Sequence, residues 1–525
     1  MAVETEQRVL AERLWGACNQ MRGKMDAAQC RVLIIPLIWL KYISESFEHQ
    51  RKNSKDQGHK DGDFDQGGRF WVPKNARWDY LINNDNDIDY VVSTAYHSLA
   101  EGKPLPVKNA YNVFARGYAN LDPVSKEILL KVILLFNKKT EDGGLPNFFH
   151  QDDAKALDLL GNIYEFFLGK FAQLEKRGGE FYTPRTVVSL IVKMLQPFDG
   201  DIYDGCCGTG GMFTQDEDLK NNLINHKSKV YGQESNAFTW SCAIIKFEHM
   251  KINYDLGEHN QDTLLKPIHR GQKWRYGITN PPFNLSKWGA DVVVSDQRWI
   301  GIDAVESDSN MTLVTDSNAN FAWIQHYLHH LTDTGMAGIV MSNGCLSTNK
   351  KGEKNIREAI VIADKLDCVV RLPDNLFTNT PIPACILILA NSKNDSKSRN
   401  REGETLFLDC RRMGEMINRK LRVLTEEEIV KISETYRNWQ SKEGFGNYQD
   451  EAGFCKAVSS INEIIKNEYV ITPGRYVGAP IIFEDEGVFE EKMNTFVSEL
   501  GQQIDQLDDL TDKIKKNLEE LGFDF

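Results

Sequence analysis

Asn280, Pro281, Pro282 and Phe283 stand together in the run YGITNPPFN (276–284), and between them they could hold a planar amine. Residues 276–279 read as a short buried strand, and the two prolines then forbid both a continuing ladder and a helix. The chain must leave the strand end as a stiff, extended turn with the asparagine amide at a fixed angle. Proline has no N–H, so the Asn280 and Pro281 carbonyls are less readily consumed by local turns. Phe283 then presents a flat ring. Such a corner can accept two hydrogen bonds from an exocyclic amino group and stack on the ring that bears it. Asn-Pro-Pro alone serves equally well as a plain strand-ending turn. Its surroundings decide.

A second group of residues precedes it. GDIYDGCCGTGGMF (200–213) reads as a short strand, a glycine-dense loop and the start of a helix. Gly208, Gly210 and Gly211, with Thr209 among them, let backbone approach a ligand at a helix N-terminus. The strand before the loop ends in Asp204, and a second strand, 230–233, ends in Glu234, where a ribose diol would be held. A third polar tip, Asn260-Gln261-Asp262, follows at similar spacing. Four successive unit ends could thus line one crevice at the carboxyl edge of a parallel sheet. No Lys-Ser/Thr follows the glycines, so the loop is not a P-loop. Upstream, RGGEFYTPR (177–185) places Phe181 and Tyr182 before an amphipathic helix, with Thr183 as N-cap and Pro184 in the first turn.

The elements that must position these groups follow from periodicity. Downstream, helix 321–331, strand 336–342, helix 355–363 and strands 366–372 and 384–389 continue an α/β, doubly wound, mostly parallel sheet. The first 155 residues are helical in pattern, with a polar, Gly-rich stretch at 51–69 expected as a mobile loop. Met493, Val497, Leu500, Ile504, Leu507, Ile514, Leu518 and Leu521 recur at steps of four and three, with Thr511 in one slot: a heptad seam. Such a helix either folds back on its own core or docks on a partner, and its narrow seam and charged flanks favour the partner. The expected division is 1–155 helical, 156–425 sheet domain, 426–487 mixed helical extension and 488–525 coiled-coil helix.

The chain has 525 residues and a net charge of −13, the opposite of the basic surface that a stand-alone nucleic-acid binder carries. Its ten cysteines show no metal-ligand pairing, and Cys206-Cys207 reads as loop packing. The acidic start is no signal peptide, and the apolar run 32–40 is too short to span a bilayer and is interrupted by Pro36. These features predict a soluble cytoplasmic protein without a metal.

The order FYTP, DxxxGTGG, strand-end Glu234, Asp262 and NPPF resembles the amino-methyltransferases that use S-adenosyl-L-methionine. RGGEFYTPR, RLPDNLFTNTPIPACILIL (371–389) and ITPGRYVG (471–478) are similar to the modification subunit of type I restriction-modification systems, over nearly the whole chain. Gly205 departs from the pattern, standing where the family commonly has proline, and removes no contact group. The resemblance implies methyl transfer to adenine N6, with the adenine flipped from double-stranded DNA. It assigns Asp204, Gly208 and Gly210 to the methionine moiety and loop, Glu234 to the ribose, and Asp262 to the adenine amine, with Phe181 and Tyr182 beside them. It further implies a specificity subunit docked through the C-terminal coiled coil, a restriction/translocase subunit in the full complex, and two copies of this chain. Methylation at cytosine C5 would need a cysteine nucleophile, typically after proline, and the chain has no Pro-Cys. A protein glutamine methyltransferase also uses an Asn-Pro-Pro corner, but chain length, Phe283 in place of Tyr and the heptad tail stand against it. A scaffold with a degenerate site is opposed by the intact Asn280 and glycine loop.

Overall fold

The structure, a computed structural model, describes helix 27–56, residues 71–137 (except 85–86), 183–299 (except 226) and 314–479 (except 378–381, 396–397 and 419–420). It also describes isolated helical positions within 12–16, 163–171 and 493–518. Among the described residues before 138 the helices are α1 (Ala27–Asp56), α2 (Trp78–Ile82), α3 (Ile88–Ala100), α4 (Leu105–Tyr118) and α5 (Pro123–Phe136). Pro36 lies inside α1 without ending it. Tyr96 and Tyr118 send buried hydroxyls onto the Pro36 and Leu33 carbonyls, at 2.5 and 2.6 Å. The expected loop at 51–69 begins later than its composition suggested, because α1 continues to Asp56; residues 57–70 lie outside the described residues. At α5, Asp122 caps the backbone N–H groups of Val124 and Ser125, with Pro123 in the first turn.

The sheet region runs α6 (Arg185–Leu195), β1 (Ile202–Asp204), α7 (Gly211–Thr214), α8 (Glu217–Ile224), β2 (Val230–Gly232), α9 (Ala237–Met250), β3 (Tyr254–Asp255) and β4 (Trp274–Thr279). It continues with α10 (Asn320–His330), β5 (Leu331–Ser342), α11 (Lys351–Ile362), β6 (Leu366–Arg371), β7 (Ala384–Ala390) and β8 (Glu404–Asp409). A two-stranded ribbon, β9 (Glu415–Asn418) and β10 (Leu421–Val423), precedes α12 (Glu426–Gln440) and β11 (Cys455–Ser459). The nine-stranded sheet has the order β11-β8-β6-β7-β5-β4-β1-β2-β3. Pairing is parallel except where β7 meets β5 and β6 and where β11 meets β8. Within 426–487, the stretch expected as a mixed helical extension, α12 is followed by β11, the sheet's edge strand.

Both faces of the sheet are covered, as a mostly parallel sheet requires. Along β7, Ile386 and Ile388 enter one apolar core while Cys385, Leu387 and Leu389 enter the other, the period of two of a strand. The first core is shared with the N-terminal helices: Phe114 of α4 meets Phe238 of α9 at 5.6 Å, and Asn109 Nδ2 donates to the Glu258 carbonyl. Residues Met1–Val477 form one compact unit and Gly478–Phe525 a second. Among the described residues, no helix is long and apolar enough to cross a membrane.

Candidate active site

Strand order reverses at β1, which lies between β4 and β2, so a crevice opens at the carboxyl ends of β1 and β4. Asp204 ends β1 and Thr279-Asn280 ends β4. The loop after β1 needs its glycines for different reasons. Gly208 and Gly210 hold φ of 56° and 77°, and a Cβ on Gly210 would lie 2.4 Å from the Phe247 ring. Gly208 N donates to Glu234 Oε2 at 3.1 Å, while Glu234 Oε1 accepts from Asn236 N at the start of α9. Glu234 thus bridges the loop to the next helix and stands at the tip of β2. Half-buried Thr209 completes the loop, and Asp262 is exposed, with Oδ1 capping Leu265 N.

Asp204 is fully buried. Its Oδ1 accepts from Thr279 Oγ1 at 2.6 Å and Cys206 N at 3.1 Å, but its Oδ2 is buried with no partner. Burial pushes its pKa up to about 6, against the hydrogen bonds that lower it. Burial likewise raises the Cys206 and Cys207 thiols well above their ordinary value, which makes them loop-packing groups rather than nucleophiles.

At the second corner, Asn280 Nδ2 donates to Thr183 Oγ1 at 2.9 Å, leaving Asn280 Oδ1 buried without a partner. Thr183 is not the helix cap that its position suggested. Pro184 occupies that place, with no side-chain cap bond, and the threonine hydroxyl holds the asparagine instead. Phe283 is only 9% exposed and meets Phe377 edge-to-face at 5.9 Å. Asn284 follows at φ 55°, and its Oδ1 accepts from Asn318, Asn320 and Ser342 while Asn320 Oδ1 accepts from its N–H. This network fixes where the Pro-Pro-Phe segment turns. Phe181 and Tyr182 lie outside the described residues.

Behind the crevice lies a buried assembly that motif reading missed. Arg298 donates to the carbonyls of Thr263 and Leu264, to both oxygens of Asp296, and to His326 Nδ1 at 3.1 Å. Guanidinium only donates, so His326 must be the neutral tautomer that accepts at Nδ1 and donates from Nε2 to Tyr203 OH, 2.8 Å away. Burial and the neighbouring cations drive the His326 pKa well below its ordinary value. Thr263 Oγ1 bonds the Gly205 carbonyl, and Gly205 N donates to Tyr327 OH at 2.7 Å. The departure from proline at 205 therefore has a use, because proline could not make this last bond. Tyr203 and His326 are 123 residues apart in the chain and Gly205 and Tyr327 122; the histidine-rich run of α10 was the one signal visible in sequence.

A family model described as N-6 DNA Methylase matches residues 155–485, and one described as HsdM N-terminal domain matches residues 10–136. The type I restriction enzyme HindI methylase subunit of Haemophilus influenzae is 41% identical over 70% of this chain and 80% of its own length. The MjaIX methylase subunit of Methanocaldococcus jannaschii is 32% identical over 97% of this chain and 91% of its own. In fold, the chain is similar to a type I methyltransferase subunit from Streptococcus thermophilus, with TM-score 0.69 and 22% identity over 90% of this chain and 99% of that one. The glycine loop, the orphaned acceptors on Asp204 and Asn280 and these relatives converge: the chain belongs to the N-6 DNA methylase family, among the modification subunits of type I restriction-modification systems.

Proposed function

We propose that this chain transfers a methyl group from S-adenosyl-L-methionine to N6 of an adenine flipped out of duplex DNA. In this reading, a specificity subunit docked on the C-terminal helix supplies site recognition. Two modification subunits serve each complex, and a restriction/translocase subunit joins the full assembly. The observation that carries the reading is the Asn280 side chain: Thr183 holds its amide nitrogen and leaves a buried acceptor free. A buried acceptor without a donor costs about 1–3 kcal/mol, and an exocyclic amine would restore the missing bond.

The adenine amine is a poor nucleophile because its lone pair is delocalised into the ring. Asn280 Oδ1 and the Pro281 carbonyl would accept its two N–H bonds and favour a pyramidal nitrogen. Much of the rate would then come from positioning, and no strong base is needed before attack. Phe283 would be the stacking platform for the flipped base. The donor pattern fits the cofactor: Asp204 Oδ2 is an acceptor for an amino group, the glycine loop gives close backbone approach, and Glu234 stands at the ribose position. Asp262 would meet the cofactor's adenine amine, and Phe181 and Tyr182 would pack beside it. When bound, the sulfonium supplies an electrophilic methyl carbon. Co-expression with a specificity subunit encoded beside it, followed by sequencing for N6-methyladenine, tests the reading. Methyladenine at one recurring sequence is expected; methylation of protein glutamine, or none on DNA, would overturn it.

A further inference from the structure

We infer that the β9–β10 ribbon is this chain's own DNA-contacting element beside the flipped base, an inference that rests on the methyltransferase reading above. Its placement follows from topology. β8 is parallel to β6, and β6 and β5 are both antiparallel to β7, so β8 points the same way as β4 and β1. The chain leaving Asp409 thus emerges on the sheet edge that carries Asn280. Arg422 N donates to the Asn375 carbonyl, in the loop whose Phe377 touches Phe283. Along that edge the order is fixed by the strands. The cofactor loop stands over β1 and β2, the asparagine corner over β4, and the ribbon over β6 and β8. A duplex delivering a base to β4 from the side away from the cofactor meets the ribbon first.

Its chemistry suits a polyanion. In a chain of net charge −13, the stretch 411–423 sets Arg411, Arg412, Arg419, Lys420 and Arg422 against Glu415 alone. Arg411 donates to both oxygens of Asp409 and neutralises the carboxylate at the ribbon's root. Arg422 ties the base of the ribbon by donating to the Met413 and Gly414 carbonyls. Gly414, at φ 84°, admits no side chain, since a Cβ would lie 2.8 Å from the Val423 carbonyl. That leaves exposed Arg412 without an ion pair among the described residues, available to a phosphate. All of β9 is exposed, with the consecutive Met416 and Ile417 45% and 48% exposed on opposite faces. A rooted ribbon with a cation beside it and aliphatic tips fits a DNA groove, where such side chains meet sugar and base edges.

The test uses the complex assembled with the specificity subunit and fluorescein-labelled duplexes with and without the methylated site, titrated across salt. Arg412→Ala should weaken both duplexes alike, on the order of eightfold in 0.1 M salt, and reduce the salt slope by about one. Arg412→Glu should weaken them further. Cofactor affinity and assembly should stay unchanged in both variants, which also reports folding. Unchanged DNA affinity and slope in an otherwise active complex would overturn the ribbon proposal and leave the methyltransferase reading intact. Loss of assembly on Met416→Ser with Ile417→Ser, with DNA affinity insensitive to Arg412, would make the ribbon a subunit interface and equally overturn it. Absence of adenine methylation by the unaltered complex would strike the reading on which the inference rests.

Discussion

Thr183 and Asn280 are 97 positions apart, and their 2.9 Å bond turns a strand-end asparagine into an aimed acceptor. Thr183→Val would leave the amide free to rotate. A neutral hydrogen bond is worth about 1 kcal/mol, so methyl transfer should slow about fivefold in single-turnover assays while cofactor affinity holds. Asp204 gives a pH signature. Its raised pKa means that the folded chain binds this proton more tightly than the unfolded chain. The group therefore subtracts stability as pH rises from the usual carboxylate range to about 6, and the loss is constant above. Binding would run the other way: if Asp204 meets the cofactor's amino group as proposed, the carboxylate must be ionised, so cofactor affinity should fall as pH drops through about 6. Calorimetry across that range checks it, and Asp204→Asn should bind weakly with no such inflection. The positions of Asp204, Asn280 and Glu234, at or just beyond the ends of β1, β4 and β2, were legible in sequence because each follows an apolar run beside a motif. The role of Thr183 was not, because its local signal, a polar residue before Pro184, is that of a cap.

The glycine loop works as an element because α9 closes on it. Gly210→Ala would force a Cβ against Phe247 in a backbone region that costs an L-residue roughly 1–2 kcal/mol. Lower melting temperature and weaker cofactor binding are expected, and adding Phe247→Leu should recover part of both. If the double variant recovers nothing, backbone strain rather than the ring sets the requirement. The Arg298 assembly joins the segment after Asp262 to α10 in the same way. Arg298→Met removes a guanidinium that is nearly fully buried, leaving Asp296 with the backbone N–H of residue 298 and two carbonyls without their donor, at roughly 2–4 kcal/mol after allowing for the exposure of Asp296. Denaturant unfolding measures that loss; unchanged stability would show that water replaces the clamp. Long central strands were legible from apolar runs such as Ala384–Ala390, which is buried throughout. β11 and the ribbon were not, because short edge strands carry mixed polar sequence and no clean alternation. Pro36 is tolerated inside α1 because that helix is held by packing and by two tyrosine hydroxyls, which local propensity does not register.

For the molecule as a whole, the acidic charge and the heptad tail point in one direction. Met493, Val497, Leu500, Ile504, Leu507, Leu510 and Ile514 are between 44% and 62% exposed, an apolar seam open to solvent. Leu500→Glu with Leu507→Glu, or truncation after Gly487, should abolish assembly with the specificity subunit and site-specific methylation while cofactor binding survives. Size-exclusion chromatography of the mixed subunits reads this directly. A truncated chain that still assembles would shift the docking role to the N-terminal helices. In the proposed mechanism Asn280 presents an acceptor to the target amine and takes no part in holding the cofactor. The most direct measurement compares Asn280→Ala with the unaltered chain in the assembled complex, by calorimetric cofactor affinity and by rate of N6-methyladenine formation on one duplex. Removing one preorganised polar group at the reacting centre should cost about 10²–10³-fold or more in rate, with cofactor affinity unchanged. Methylation near the unaltered rate, or a loss confined to cofactor binding, would contradict it.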